Sequence, residues 1–336
     1  MIARRKLGRT NINISELGFG GAPLGDLYAH LDDRQAIDAV RTALDAGIRY
    51  VDTAPLYGHG LSEHRIGTAI RSVHRSSLVL STKVGRWMSP AGGEWDREGY
   101  AGGLPFAAHL DYGYDGTLRA IEQSLQRLGT NRLDIVLIHD VDRRNHGDRL
   151  DQRFREAIKG AWHALRRMRE EGVIGAAGIG VNEAEICLRF AEACDLDCVM
   201  LAGRYSLLDQ GALHTFLPVA EKRGIGVLLG GVFNSGVLAT GAVPGATYDY
   251  APASAAILER VKRIEAVCTR HGVALPVAAI HAVRHHPAVA SVVLGATSPA
   301  EVSRNLASWN ASVPADLWAE LKQEGLIDRD MPVDRA

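Results

Sequence analysis

The sequence predicts an α/β chain closed into a (β/α)8 TIM barrel with an N-terminal β-hairpin, on three observations. Short apolar runs and amphipathic stretches alternate about eight times over roughly 300 of the 336 residues, one strand–helix unit after another. The run Leu133-Asp134-Ile135-Val136-Leu137-Ile138-His139 is apolar almost throughout, as in a parallel strand covered on both faces. A doubly wound sheet would carry a glycine-rich fingerprint after its first strand, and neither candidate completes it. Gly18-Phe19-Gly20-Gly21-Ala22-Pro23 lacks the third glycine, and Gly178-Ile179-Gly180-Val181-Asn182-Glu183 ends in Glu.

In chain order, Lys6 to Ile14 reads as the hairpin and 17–20 as the first barrel strand. Ala36, Ile37, Val40, Ala43 and Leu44 recur at helical spacing over 33–46, and Gly47 ends that helix. Strands follow at 50–52, 78–83 and 133–139, with helices at 62–70, 115–128 and 154–171. The second half repeats the unit: strands at 173–179, 198–202, 226–229 and 291–294, helices at 183–194, 211–223 and 255–271. Further helices are predicted from 276, over 299–306 and over 315–324. No composition break marks a linker, so 1–336 reads as a single domain. Two segments, 85–114 and 231–254, are too long for plain connections, and both leave the C-terminal end of a strand. Barrels place their active sites at that rim. The aromatic residues of these long loops, Trp87 and Trp95, therefore read either as packing the loops themselves or as walling a substrate, with Trp87 the candidate contact in the second case.

Composition narrows the function classes. The chain is 46% hydrophobic and 23% charged, with net charge −1 and no Lys/Arg block, which argues against nucleic acid or an anionic membrane as partner. The N-terminus shows no apolar run of signal-peptide or membrane-spanning length, so a cytoplasmic location is expected. Cys187, Cys194, Cys198 and Cys268 form no C-x-x-C pair and read as buried thiols. His59, Glu63 and His64 lack zincin spacing, and His285 and His286 point to different sides of a helix, so no metal is expected. Ser235 has no glycine two positions before it, so a hydrolase elbow is missing.

The chemistry gathers at strand ends. Asp52 closes the second strand, Lys83 the third and His139 the fourth, while Pro55 and Gly58 turn the chain so that Tyr57 is presented beyond Asp52. A phenol is too weak an acid to work alone at neutral pH. A neighbouring ammonium would favour its phenolate, a carboxylate would hold that ammonium in place, and a histidine would hydrogen-bond the oxygen that changes protonation.

Asp52-Thr53-Ala54-x-x-Tyr57-Gly58, Ser81-Thr82-Lys83 and Leu137-Ile138-His139, in that order, make the chain resemble an aldo-keto reductase from Gly18 to about Leu306. The resemblance implies a barrel binding a nicotinamide cofactor without a Rossmann domain. It implies Tyr57 as acid/base, Asp52 and Lys83 as its tuning pair, and His139 as the group orienting the substrate oxygen. Gly20-Gly21-Ala22-Pro23, Ala202-Gly203-Arg204-Tyr205 and Gly231-Val232-Phe233-Asn234-Ser235-Gly236 resemble the aldose 1-dehydrogenase branch, which acts at C1 of L-fucose, D-arabinose or L-galactose and includes a pyridoxal dehydrogenase. Cofactor contacts are thereby implied at Gly21, Ala22, Asp52, Asn182, Tyr205, Gly231, Val232, Phe233, Ser235, Gly295, Ser298, Glu301 and Asn305, and substrate contacts at Tyr57, Trp87 and His139. Gly230 falls where an aromatic ring commonly stacks on the nicotinamide, which leaves Tyr205 or Phe233 for that role. NADP-specific relatives carry Lys near Gly295 and Arg near Glu301; neither is present, and a carboxylate would repel a 2′-phosphate, so NAD is expected over NADP. The competing account of Ser298-x-x-Glu301 is a helix capping box with Pro299 at the first turn. The expected reaction is oxidation of an aldose at C1 to its lactone. The alternatives are a general aldehyde, ketone or pyridoxal oxidoreductase, or a cofactor-binding sensor barrel. A small-molecule aldose or aldehyde is the expected partner, and a homo-oligomer is compatible with the sequence.

Overall fold

Eight parallel strands pair edge to edge and close on themselves in a computed structural model that describes residues 2–333. In chain order the barrel strands are β1 (Leu17–Gly20), β2 (Tyr50–Asp52), β3 (Val79–Val84), β4 (Leu133–His139), β5 (Ile174–Val181), β6 (Cys198–Ala202), β7 (Gly226–Gly230) and β8 (Val289–Gly295). Each pairs with its neighbours in sequence, and β8 returns to β1. Closure leaves no barrel edge unpaired, which is why such short strands suffice.

Helices cover the outside, and most of the apolar core lies between them and the strands. A second, smaller cluster fills the interior, where Tyr50, Ile135, Leu137, Ala176, Cys198, Met200 and Leu228 meet Leu7 and Ile14. Leu7 and Ile14 come from the N-terminal hairpin, in which Arg4–Lys6 pairs antiparallel with Asn13–Ser15. The hairpin therefore plugs the N-terminal mouth of the barrel with apolar side chains, and polar chemistry is confined to the other end.

At that end the two long segments are structured. Arg86–Pro90 and Phe106–Leu110 form an antiparallel ribbon, and the stretch between them is tied down by Ala101 N–H to Asp26 O (2.9 Å) and Leu104 N–H to Gly58 O (3.0 Å). The 231–254 segment holds the short helix Val237–Thr240 and a small hairpin, Thr247–Tyr248 against Ala251–Pro252. Both segments contain regular structure, so neither is a plain loop. The four cysteines are buried and unbridged. No single helix among the described residues is long and apolar enough to cross a membrane.

Two predicted helices are corrected. The helix expected over 154–171 starts earlier, at Leu150–Ala157, and continues through a π segment at Ile158–Trp162 into His163–Glu170. The cause is a neighbour: Ala161 N–H donates to the Tyr112 carbonyl at 2.8 Å instead of completing the regular ladder, and Gly160 lies so close that a Cβ there would stand 2.3 Å from Tyr112 O. The helix expected over 211–223 forms only at Phe216–Arg223, its first turns replaced by Asp209 and Ser206 turn bonds such as Gly211 N–H to Asp209 Oδ1 (2.9 Å).

Replacing Gly160 with Ala should push the helix off the Tyr112 carbonyl and destabilise the chain by about 1–3 kcal/mol. A denaturant midpoint that falls while the slope stays constant would be the signature, and an unchanged midpoint would show that the contact can relax freely.

Candidate active site

Strand register builds the centre of the site. Gly20, Asp52 and Ser81 stand side by side across β1, β2 and β3. The two-residue period of β3 puts Ser81 and Lys83 on one face, next to Asp52. Lys83 Nζ donates to Asp52 Oδ2 at 2.7 Å and to the Thr53 carbonyl at 2.9 Å, while Ser81 Oγ donates to Asp52 Oδ1 at 2.6 Å and lies 3.0 Å from the Tyr50 hydroxyl. The lysine and aspartate side chains are 1% and 4% exposed, so neither charge is shared with solvent. Burial raises the Asp52 carboxyl above the ordinary range, with Lys83 and Ser81 pulling the other way.

Tyr57 lies on the loop that follows. Gly58, at φ +62°, backs directly onto Gly25, where a Cβ would meet Gly25 O at 2.4 Å, so the loop can take this course only with glycine. The phenol ring is half-buried, with Lys83 Nζ 4.8 Å from its centroid and the His139 ring edge-on at 5.8 Å between centroids. The four residues expected to act together do meet. Their electrostatics differ from the expectation in one respect. Burial, then Asp52, Asp140 and Tyr250, push the Tyr57 phenol well above its ordinary value, where a neighbouring ammonium was expected to favour the phenolate. Burial, with Lys83 and Arg86, pushes His139 well below the usual imidazole range, so the ring is neutral.

Beside this centre lies an apolar cleft of about 310 Å³ that reaches from Asp52 and Tyr57 along the ends of β6, β7, β8 and β1. Of the residues expected to hold a cofactor, Ala22, Asp52, Asn182, Gly231, Val232, Phe233, Ser235 and Gly295 line it. Gly21 does not: its α-carbon is packed against Ile66, Ser62 and the Asp52 carbonyl. Tyr205 is corrected as well, since it is 1% exposed and edge-on to His286 at 5.8 Å, inside the outer core. That leaves Phe233 as the ring in the cleft. Trp87 is also absent from the lining; its indole stacks on His109 at 4.2 Å, lies under the Arg119 guanidinium at 3.7 Å and donates to Asp111.

Ser298, Glu301 and Asn305 stand past the end of the cleft, at the start of helix Pro299–Asn310. Ser298 caps the helix by accepting from Glu301 N–H, and Asn305 donates to the Gly295 carbonyl at 3.1 Å. Glu301 reaches back to Thr297, accepting from its N–H at 2.7 Å and its hydroxyl at 2.9 Å, and Arg304 stands 3.6 Å away. The carboxylate thus has the structural role weighed against cofactor recognition, one residue beyond a strict capping box.

Several site residues escaped sequence reasoning. Asn234, 4% exposed and in the cleft, donates to the Gly203 carbonyl at 3.2 Å, which leaves its Oδ1 buried without a partner among the described residues. It sits inside a segment already singled out, between Phe233 and Ser235. Tyr28, Asp249 and Tyr250 also line the cleft, brought there by loops whose course no periodicity reveals. Asp249 is held by Arg204 (2.9 Å), and Tyr250 lies under Arg144, 4.3 Å from its ring centre.

The profile of the aldo/keto reductase family matches residues 16–324. Pyridoxal 4-dehydrogenase of Microbacterium luteolum is 40% identical, over 96% of this chain and 98% of that one. D-threo-aldose 1-dehydrogenase of a Pseudomonas species is 37% identical, over 94% and 95%. The holo form of an aldo-keto reductase from Bacillus halodurans superposes with a TM-score of 0.75 over 99% of this chain and all of that one, at 24% identity.

Two outcomes are expected of the centre. Lys83→Met leaves the Asp52 carboxylate buried without its partner and should destabilise by about 3–5 kcal/mol. His139, neutral in the fold and titrating near 6.5 when unfolded, contributes stability that is complete above about pH 6.5 and lost progressively as pH falls from there towards its depressed value. The denaturant midpoint should therefore decline on that acid side, and His139→Gln should flatten the decline. Identical pH profiles for the two proteins would contradict the buried neutral ring.

Proposed function

Because the chain belongs to the aldo/keto reductase family and is a nicotinamide-dependent oxidoreductase, we propose that it oxidises a small cyclic hemiacetal at its anomeric carbon to the lactone. An aldose closed on its own hydroxyl is the first candidate. Pyridoxal is the second, favoured by the 40% relative, and its aldehyde can close on its neighbouring hydroxymethyl group in the same way. The two substrates share one reacting unit, a ring carbon bearing one hydrogen and one hydroxyl.

The observation that carries this reading is the meeting of Lys83 and His139 with Tyr57, which together with Asp52 lines one end of an apolar cleft; Lys83 and His139 stand behind Tyr57 and are not part of the lining. The cleft suits a nicotinamide cofactor on its own features. Its floor lacks side chains at Gly203, Gly230 and Gly231, Phe233 offers a ring, and Asn234 Oδ1 is a buried acceptor that calls for a donor. Ala22, Asn182, Val232, Phe233 and Ser235 would hold the cofactor, which when bound accepts or returns the hydride. NAD is taken as the preferred form because Glu301, although committed to Thr297, still places a negative charge beyond the Gly295 end of the cleft; Arg304, 3.6 Å from it, offsets part of that charge.

Tyr57 takes the hydroxyl proton during oxidation and gives it back during reduction. Its raised value makes the phenol the resting form at neutral pH, so the site is poised as a proton donor and oxidation quickens as pH rises. His139, neutral, supplies a hydrogen bond to the same oxygen without adding a charge that would compete with Lys83. Lys83 and Asp52 hold the electrostatic background constant, since neither can turn to solvent.

Steady-state assays with NAD and NADP against L-fucose, D-arabinose, L-galactose and pyridoxal, with the product identified by mass, test the proposal. Tyr57→Phe should lower turnover by about 10²–10⁴-fold while the cofactor-induced thermal shift persists. A variant as fast as the wild type, or an oxidation rate that falls steadily from about pH 7 to 10, would remove Tyr57 as the base.

A further inference from the structure

The helix that follows the Tyr57 loop, Leu61–Ile70, carries a buried arginine that is not part of the cleft lining. The Arg65 side chain is 4% exposed, and its guanidinium serves one segment, residues 24–33. Nη1 donates to the Leu24 carbonyl and to Asp26 Oδ1, both at 2.7 Å, Nη2 to the Leu31 carbonyl at 2.7 Å, and Nε to Asp33 Oδ1 at 2.8 Å. Leu24 and Asp26 flank Gly25, and Gly25 lies directly against the Tyr57 loop: a Cβ there would overlap the carbonyl carbon of Tyr57 and the nitrogen of Gly58. Asp26 itself has φ +60°, an uncommon conformation for a residue other than glycine. The 85–114 segment reaches the same peptide. A Cβ at Gly103 would stand 2.8 Å from Gly58 O, which accepts from Leu104 N–H at 3.0 Å, and Ala101 N–H returns to Asp26 O at 2.9 Å. The Tyr57–Gly58 peptide is thus in contact with two backbones, at Gly25 and Gly103, that are joined to each other through Asp26.

We propose that Arg65 is a positioning residue for the reaction: by bracketing Gly25 it fixes the Tyr57–Gly58 peptide, and with it the phenol that transfers the proton. This deepens the reading above and rests on it for the role of Tyr57 in turnover. Proton transfer requires the phenol oxygen within hydrogen-bond reach of the substrate oxygen, and a displacement on the order of 1 Å can cost about 10²-fold in rate. Lys83 and His139 approach the phenol as a ring, at 4.8 Å from its centroid and 5.8 Å between centroids, and contacts so loose do not aim its hydroxyl. The backbone does that. The helix bearing Arg65 also takes the Tyr57 carbonyl through Ser62 N–H at 3.2 Å, so one helix holds the loop directly and again through Gly25. A guanidinium suits the task because its planar fork reaches acceptors on both sides of Gly25, and Leu31 and Asp33 as well, whereas an ammonium is a point donor. Its charge also compensates Asp26, whose side chain is 6% exposed.

A double-mutant cycle with Tyr57 separates positioning from mere support of the fold. Arg65→Lys keeps the charge but cannot span both sides of Gly25. With a substrate that the wild type oxidises, well below the melting temperature of the variant, its kcat should fall at least about tenfold. In a Tyr57→Phe background the same change should cost less than about twofold, because the hydroxyl it would misplace is gone. Carbon NMR of tyrosine labelled at Cζ reads the phenol directly in the cofactor-free protein. The Tyr57 line, identified by its loss in Tyr57→Phe, should shift or broaden in Arg65→Lys and, more weakly, in Asp26→Asn, which keeps the size of the side chain and carries the test if Arg65→Lys does not fold. The line of Tyr205, buried in the outer core, should stay in place. Additive losses in kcat, or a Tyr57 line unchanged in both variants, would overturn the proposal. So would lines of Tyr57 and Tyr205 disturbed alike, the mark of a barrel loosened throughout. If Tyr57→Phe turns over as fast as the wild type, the acid/base reading fails, while the Tyr57 line still decides whether Arg65 positions the ring.

Discussion

The ion pair between Lys83 and Asp52 is the constraint around which the site is arranged. Two charges inside a barrel are tolerable only if each is fully satisfied, and here the ammonium has Asp52 and the Thr53 carbonyl while the carboxylate has Lys83 and Ser81. That demand fixes the register of β2 against β3 and the course of the chain through Thr53. Tyr57 inherits its position from that course. The phenol lies over Lys83, yet its acidity is governed first by burial and then by the surrounding carboxylates.

The two mouths of the barrel are treated in opposite ways. Leu7 and Ile14 close the N-terminal mouth with hydrocarbon, which stabilises the interior and excludes water from it. The C-terminal mouth is closed by segments held through polar contacts: Ala101 on Asp26, Leu104 on Gly58 of the loop bearing Tyr57, and Asp249 on Arg204. Contacts of this second kind can exchange with solvent at little net cost, as an opening that admits a substrate requires. The apolar plug resists such opening. The asymmetry matches the placement of chemistry at one end only.

The barrel strands were legible because burial on both faces imposes an unmistakable apolar run, so β2, β4 and β6 fall where the sequence places them. The grouping of Asp52, Tyr57, Lys83 and His139 was legible only as a set: each alone reads as an ordinary loop, strand-end or core residue, whereas their order at consecutive strand ends matches the aldo-keto reductase motifs. Tyr205 and Trp87 misled for a common reason. An aromatic residue in a loop can face the cavity or the core, and nothing local tells which; Tyr205 went to His286 and Trp87 to His109 and Arg119. The π segment at Ile158–Trp162 was hidden likewise, because its cause is the Tyr112 carbonyl, 49 residues from Ala161 in the chain.

The sequence by itself determined the alternation of elements and the closed barrel, which follow from periodicity, and it set Asp52, Lys83 and His139 at successive strand ends with Tyr57 on the loop beyond Asp52. Tertiary structure alone decided which loop aromatics face the cleft and that Asn234 has a free acceptor in it. The physical reason is range. Periodicity and turn chemistry act over a few residues, whereas desolvation, ion pairing and the packing of a ring depend on what other segments bring to the same place.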